Sequence, residues 1–164
     1  MLHNLAHDKN LRGYVFEYIA RILLRRERKN NFIFLLNRFD SVEESITKYR
    51  FDISSFAHLL TRLNDCRCDI IEFRCSDKKS RHVQEIALYD VKTKHHLAPP
   101  RPYDACLSNH KFMKMMGNLL KTYLISVMVF DDWRFSFNIY DYQTCKFRIY
   151  DSQINHNRAH AMAR

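Results

Sequence analysis

The sequence predicts a mixed α/β domain, a β-sheet with helices packed on it. Three observations carry that expectation. Apolar residues make up 46% of the 164 residues, enough for one domain with a packed core. Stretches of helical period are interspersed with short apolar runs of strand length. Their order is helix, strand, two helices, a strand pair, helix, strand and further strands. No internal repeat or boundary interrupts that order. Residues 1–155 are therefore expected to form a single domain, and residues 156–164 a loose polar tail.

The first helix is expected over residues 11–28. Val15, Phe16, Ile19, Ile22 and Leu23 recur at three- and four-residue steps, with Asn10 or Asp8 as the cap. The basic run RRERKN ends it, where positive charge suits the negative end of the helix dipole. FIFLLN, residues 32–37, is short and apolar and reads as a strand. In DSVEESITKY, residues 40–49, cap residues precede Glu43 and Glu44, the signature of a helix start. Ser54 or Ser55 is expected to cap another helix, with Phe56, Leu59, Leu60 and Leu63 on one face. These two helices read as an insertion into the core or an elaboration of it.

DIIEFRC, residues 69–75, and VQEIALYDVK, residues 83–92, flank the charged turn SDKKSR and read as a hairpin. Pro99, Pro100 and Pro102 break regular structure after it. Ser108 is placed to cap a helix reaching about residue 123. Its expected apolar stripe is Phe112, Met115, Met116, Leu119 and Leu120, and its second stripe Lys111, Lys114, Asn118 and Lys121. LISVMVF, residues 124–130, is unbroken apolar and reads as a strand buried on both faces. WRFSFNIYDY and KFRIYD read as two more strands, with a turn near Gln143 and Thr144.

The net charge of +9 favours an acidic partner, of which nucleic acid is the commonest. A basic interaction protein with no polyanion ligand is the alternative. Two glycines and three prolines leave no Gly-rich phosphate loop and no long flexible linker. No apolar run reaches the roughly 18 residues of a membrane span. MLHNLAHDKN lacks the apolar core of a secretory signal, so no membrane partner and a cytoplasmic location are expected, with the five cysteines reduced. Cys66 and Cys68 are spaced too tightly for structural zinc, and no second pair matches them. His156 and His160 are four apart but fall in the tail, and His95 and His96 are adjacent. FSFNIYDY alternates aromatic and polar residues, which suits core packing or stacking on unpaired bases.

The chemistry concentrates in EIALYDVKTK, residues 85–94. At period two, Ile86, Leu88, Asp90, Lys92 and Lys94 share one face, apolar first and charged last. A strand leaving the core there would present Asp90 and Lys92 at the edge of the sheet. Asp69 opens the partner strand, and a suitable register sets it beside Asp90. Two adjacent carboxylates repel unless a cation or a proton lies between them. Mg²⁺ takes oxygen ligands and commonly uses one or two carboxylates plus substrate phosphate. Acid, acid and lysine are thus a minimal set for metal-assisted phosphodiester hydrolysis. The competing reading of Asp90 and Lys92 is an ion pair on an edge strand, which adds little stability.

Asp69 in CDIIEF, with Asp90 and Lys92 in LYDVKTK, resembles the PD-(D/E)xK nuclease superfamily. RGYVFEYIARILL, residues 12–24, carries Gly13 and Glu17 four residues apart. It resembles the N-terminal helix of archaeal Holliday junction resolvases and of related small nuclease-like proteins. The Lys-rich helix after Ser108 and the apolar strand behind it resemble the helix and fourth strand of that fold. The likeness covers roughly residues 11–130 in separate blocks. Cys68 stands where the superfamily often has Pro or Glu, and Asp90 where Glu is more usual in the nearest groups.

The resemblance implies a restriction-endonuclease-like mixed β-sheet core flanked by helices, with a helical insertion before the catalytic strands. It implies Asp69 and Asp90 as ligands of Mg²⁺ or Mn²⁺, with the backbone carbonyl of Val91 as a further ligand. Lys92 would act on the water or the scissile phosphate, and Glu17 would reach the site from the first helix. The implied activity is endonucleolytic, on DNA ahead of RNA, at branched or structured sites, by a homodimer. Lys94, Lys111 and Lys114 are expected to contact phosphate, from the stripe geometry rather than the motif. The alternative is a catalytically inactive nucleic-acid-binding or assembly module on the same fold.

Overall fold

A computed structural model describes residues 9–28, 31–36, 41–65, 68–77, 79–95, 107–129 and 135–149. The tail beyond residue 155, the three prolines, Cys66, His96, His156 and His160 fall outside the described residues. Helix α1 (Lys9–Glu27) leads into strand β1 (Asn31–Leu35). Helix α2 (Val42–Tyr49), a 3₁₀ segment (Ser54–Leu59) and the short helix α3 (Leu60–Asn64) follow. Then come β2 (Ile70–Cys75), β3 (Val83–His95), α4 (Leu107–Met116), β4 (Lys121–Val129), β5 (Phe135–Asp141) and β6 (Lys146–Ile149). The expectation of a mixed α/β sheet flanked by helices holds.

The described strands form one sheet in sequence order, β1 to β6. Every neighbouring pair is antiparallel except β3 and β4, which are parallel and joined through α4. Alternation along the strands builds two cores. On one face Ile71, Phe73, Ile86, Leu88 and Leu124 pack under Val42, Leu59, Leu63, Met113 and Met116 from the later helices. On the other, Ile70, Ala87, Tyr89, Val91 and Ile125 pack under Phe16, Ala20 and Leu24 of α1. The helices between β1 and β2 thus supply core residues and are not an appendage.

Several local expectations shift for identifiable reasons. Helix α1 starts at Lys9, which puts Asn10 inside its first turn and not at a cap. Ser41 caps α2 through a reciprocal box with Glu44, as the acids after the cap residues predicted. Ser54 and Ser55 cap nothing. Ser54 donates its backbone N–H to Asp52 Oδ1, so the aspartate two residues earlier starts that segment. Helix α4 stops at Met116, well short of residue 123. Met113, Met116 and Leu120 face the core, whereas Met115 and Leu119 are exposed.

Gly117 sits in the close turn that follows the helix. It lies just past α4, its N–H donating to the Met113 carbonyl at 2.9 Å. A Cβ there would stand 2.9 Å from Thr122 Oγ1 and 3.3 Å from the carbonyls of Lys114 and Met113. Gly117→Ala is therefore expected to destabilise the fold by about 1–3 kcal/mol. A lower urea midpoint at unchanged slope would show it, and an unchanged midpoint would mean that the turn yields without cost.

Candidate functional site

The β2–β3 hairpin sets Ile70 opposite Tyr89, which brings Asp69 level with Asp90. Backbone bonds fix the position: Asp69 N–H donates to the Tyr89 carbonyl, and Leu36 N–H to the Asp69 carbonyl, each at 2.9 Å. The Asp69 carboxylate accepts the Val91 N–H at 2.6 Å. Lys92 lies between the two acids. Its Nζ donates to Asp90 Oδ1 at 2.6 Å and stands 3.9 Å from Asp69 Oδ2. It also reaches the Val91 carbonyl at 3.4 Å.

This pair is not at the edge of the sheet. Strand β3 is central, with β2 on one side and β4 on the other. Asp90 is 1% exposed, and its Oδ2 is buried with no hydrogen-bond partner among the described residues. The edge-strand ion pair considered from sequence therefore does not describe the arrangement. Breaking a buried pair costs far more than breaking an exposed one.

Glu17 comes from α1, on the opposite face of the sheet, and is within electrostatic reach of Lys92 and Asp90. Its carboxyl is pushed up by burial and by the Asp90 charge, against the pull of Lys92. Gly13 lies beside it: a Cβ there would meet only Glu17 Oε1, at 3.9 Å. Burial alone would lower the Lys92 ammonium, but Asp90, Asp69 and Glu17 together raise it, so it remains a cation. Burial and the neighbouring Asp90 charge push the Asp69 carboxyl up to about 8.

That shift fixes a pH dependence. Between its unfolded value of 3.8 and about 8, the folded protein holds a proton at Asp69 that the unfolded chain releases. Its stabilising contribution is complete below pH 3.8 and is lost as pH rises through about 8. The urea midpoint of cation-free protein should fall across this window, and Asp69→Asn should flatten the fall. The same pH dependence in wild type and Asp69→Asn would show that Asp69 holds no proton in this window.

Among the described residues no group of three or more His, Cys, Asp and Glu side chains is gathered closely enough to enclose a metal ion. Two carboxylates are gathered, one with an unpartnered buried oxygen, next to the Val91 carbonyl. That donor set suits a hard cation that keeps most of its ligands as water or substrate oxygen. Of the residues expected to touch phosphate, Lys111 and Lys114 are exposed on α4. Lys94 belongs to β3, opposite Met128, and its side chain is outside the described residues. Lys121 starts β4 and donates to Gln143 Oε1 at 2.8 Å, so the lysine stripe does not continue along one helix.

Sequence reasoning missed Glu72 and Ser126. Glu72 accepts from Arg28, Asn31 and Tyr89, tying the end of α1 to the strand that carries Asp90. Ser126, in register with Lys92, is fully buried. Comparison with known proteins gives no match to this chain, whether by family model, among curated proteins or among solved structures. Among the described residues no helix is long and apolar enough to cross a membrane.

Proposed function

We propose that this chain is a Mg²⁺- or Mn²⁺-dependent nuclease that hydrolyses phosphodiester bonds, in DNA ahead of RNA, on a restriction-endonuclease-like core. The observation that carries the reading is the buried, unpartnered Oδ2 of Asp90 beside a second carboxylate and a lysine. The element order supports it: α1, then the antiparallel strands β1 to β3 with α2, the 3₁₀ segment and α3 between β1 and β2, then α4 and a strand parallel to β3. The net charge of +9, with Lys111 and Lys114 exposed, suits a polyanion. Exposed Leu11, Tyr14, Tyr18 and Ile22 on α1 support a homodimer.

Asp69, Asp90 and the Val91 carbonyl are the groups that would hold the cation, which supplies Lewis-acid polarisation of the phosphate and acidification of water. Lys92 brings a fixed positive charge to where negative charge develops on the phosphate oxygens. Glu17, raised by burial, is the group that would hold the attacking water or a second ion from the side of α1.

The test is cleavage of duplex, single-stranded and four-way-junction DNA and of structured RNA in Mg²⁺, Mn²⁺ or EDTA. Cation-dependent cutting is the expected result. A second reading has its own support: Lys92 already neutralises Asp90 at 2.6 Å, closing the cluster on itself. Binding without cutting in any metal, unchanged in Asp90→Ala, would favour that reading, a catalytically inactive nucleic-acid-binding or assembly module.

A further inference from the structure

One row of residues crosses the sheet at the level of Lys92. Ser126 of β4 is its register partner, and Asn138 of β5 is the register partner of Ser126. Leu124 packs in the same core as Leu88, so Ser126, two residues on, shares the face of Asp90 and Lys92. Ser126 is 0% exposed, and its Oγ has no hydrogen-bond partner among the described residues. Asp90 Oδ2, Thr122 Oγ1 and Tyr142 Oη are buried and unpartnered on the same face. A hydroxyl left so within an otherwise apolar central strand weakens the fold, and alanine would fill the place without that penalty. Unsatisfied buried groups are few in folded proteins, and those gathered beside a charged cluster call for an explanation in function.

We infer that Ser126 is a positioning residue for Lys92. Its Oγ is the acceptor that holds the Lys92 ammonium once the Asp90 carboxylate is engaged by a divalent cation. The inference rests on the cation site proposed above. The Lys92 Nζ now spends its shortest bond on Asp90 Oδ1, at 2.6 Å. A cation at that carboxylate repels the ammonium, and the displaced, partly buried ammonium trades its lost bond for solvent on its exposed side and for another oxygen on its buried side. Ser126 offers one from the adjacent strand, in register and on the same face. Thr122 and Tyr142 lie further back along the sheet, level with Leu88.

The test compares wild type, Ser126→Ala and Ser126→Thr, the last keeping a hydroxyl on a strand-favouring side chain. The first readout is the Lys92 side-chain NMR resonance, assigned through Lys92→Arg, before and after addition of Ca²⁺ or Mg²⁺. The second is the split of cutting into kcat and KM, alongside the urea midpoint. In wild type and Ser126→Thr the cation should move the Lys92 resonance to a new bonded position. In Ser126→Ala it should leave the resonance averaged with solvent. Ser126→Ala should also raise the urea midpoint while lowering kcat about tenfold or more at unchanged KM.

A Lys92 resonance that responds identically in Ser126→Ala overturns the inference, as does kcat at the wild-type level. A cation that moves no Lys92 resonance in any of the three proteins overturns it too. A Ser126-dependent response in a wild type that cuts nothing keeps the inference and removes only the nuclease reading. If the response is lost in Glu17→Gln and kept in Ser126→Ala, Glu17 is the acceptor instead.

Discussion

Asp90→Ala and Lys92→Ala should each lower cation-dependent cutting by at least about a hundredfold to a thousandfold, the usual scale for losing one electrostatic partner of a transition state. Their effects on folding should differ. Asp90→Ala leaves the Lys92 ammonium free to turn toward Asp69, 3.9 Å away, and toward solvent, to which its side chain is 30% exposed. Lys92→Ala leaves the 1% exposed Asp90 carboxylate beside the Asp69 carboxyl with no positive charge near it. That variant should lose about 2–4 kcal/mol, somewhat less than for a fully buried pair because the lysine is partly exposed. Mg²⁺ or Mn²⁺ should then raise the Tm of Lys92→Ala by more than that of wild type, because a divalent ion replaces the missing ammonium. An equal rise in both proteins, or none, would remove the carboxylate pair as a cation site whatever the cutting assay gives.

Glu72→Ala should destabilise the protein by about 3–5 kcal/mol, the scale for removing one partner of a buried ion pair. Glu72 is 1% exposed and collects three donors. Arg28 Nη1 reaches it at 2.6 Å from the end of α1, while Asn31 and the Tyr89 hydroxyl complete its shell. Arg28 also donates to the Tyr89 oxygen at 2.8 Å, and the Tyr89 ring stacks on Tyr123 at 5.1 Å. Without the carboxylate, three donors from three elements lose their common acceptor inside the core. Glu72→Gln keeps the shape and a neutral acceptor and should cost less. A loss below about 1 kcal/mol in Glu72→Ala would mean that water enters and satisfies the donors. Tyr89 precedes Asp90, so this network also anchors the strand that carries Asp90.

How far the sequence could be read depended on how local each feature is. The β2–β3 hairpin was legible because period-two alternation fixed the faces of Ile71, Phe73, Ile86 and Leu88. Placing Asp69 level with Asp90 required only a compatible register. The burial of Asp90 was not legible. It depends on β4 pairing in parallel beside β3 through a distant crossover, and a charged strand end reads equally well as an edge. Glu72 was overlooked because a glutamate in a strand ordinarily faces water, and nothing adjacent in the chain reveals Arg28 beneath it. Ser126 disappeared within LISVMVF, where a single hydroxyl does not interrupt an apolar run. In α4 the stripe was misplaced because the helix gives way to turns after Met116, where the hydrophobic period suggests that it continues.

The single parallel pairing in the sheet has a consequence for how the site is assembled during folding. Asp69 and Asp90 are joined by a hairpin, a short loop closure that precedes long-range pairing. The row from Lys92 to Ser126 and Asn138 waits for the crossover through α4, a step of higher contact order. The two acids are thus brought face to face before the rest of the site exists, and the cost of burying them together, met by the proton that Asp69 takes up, falls on the earliest native contacts. Lys92 travels on the same hairpin and supplies the counter-charge at that stage. The lysine is in this sense a built-in chaperone of the acid pair as well as a member of the finished cluster.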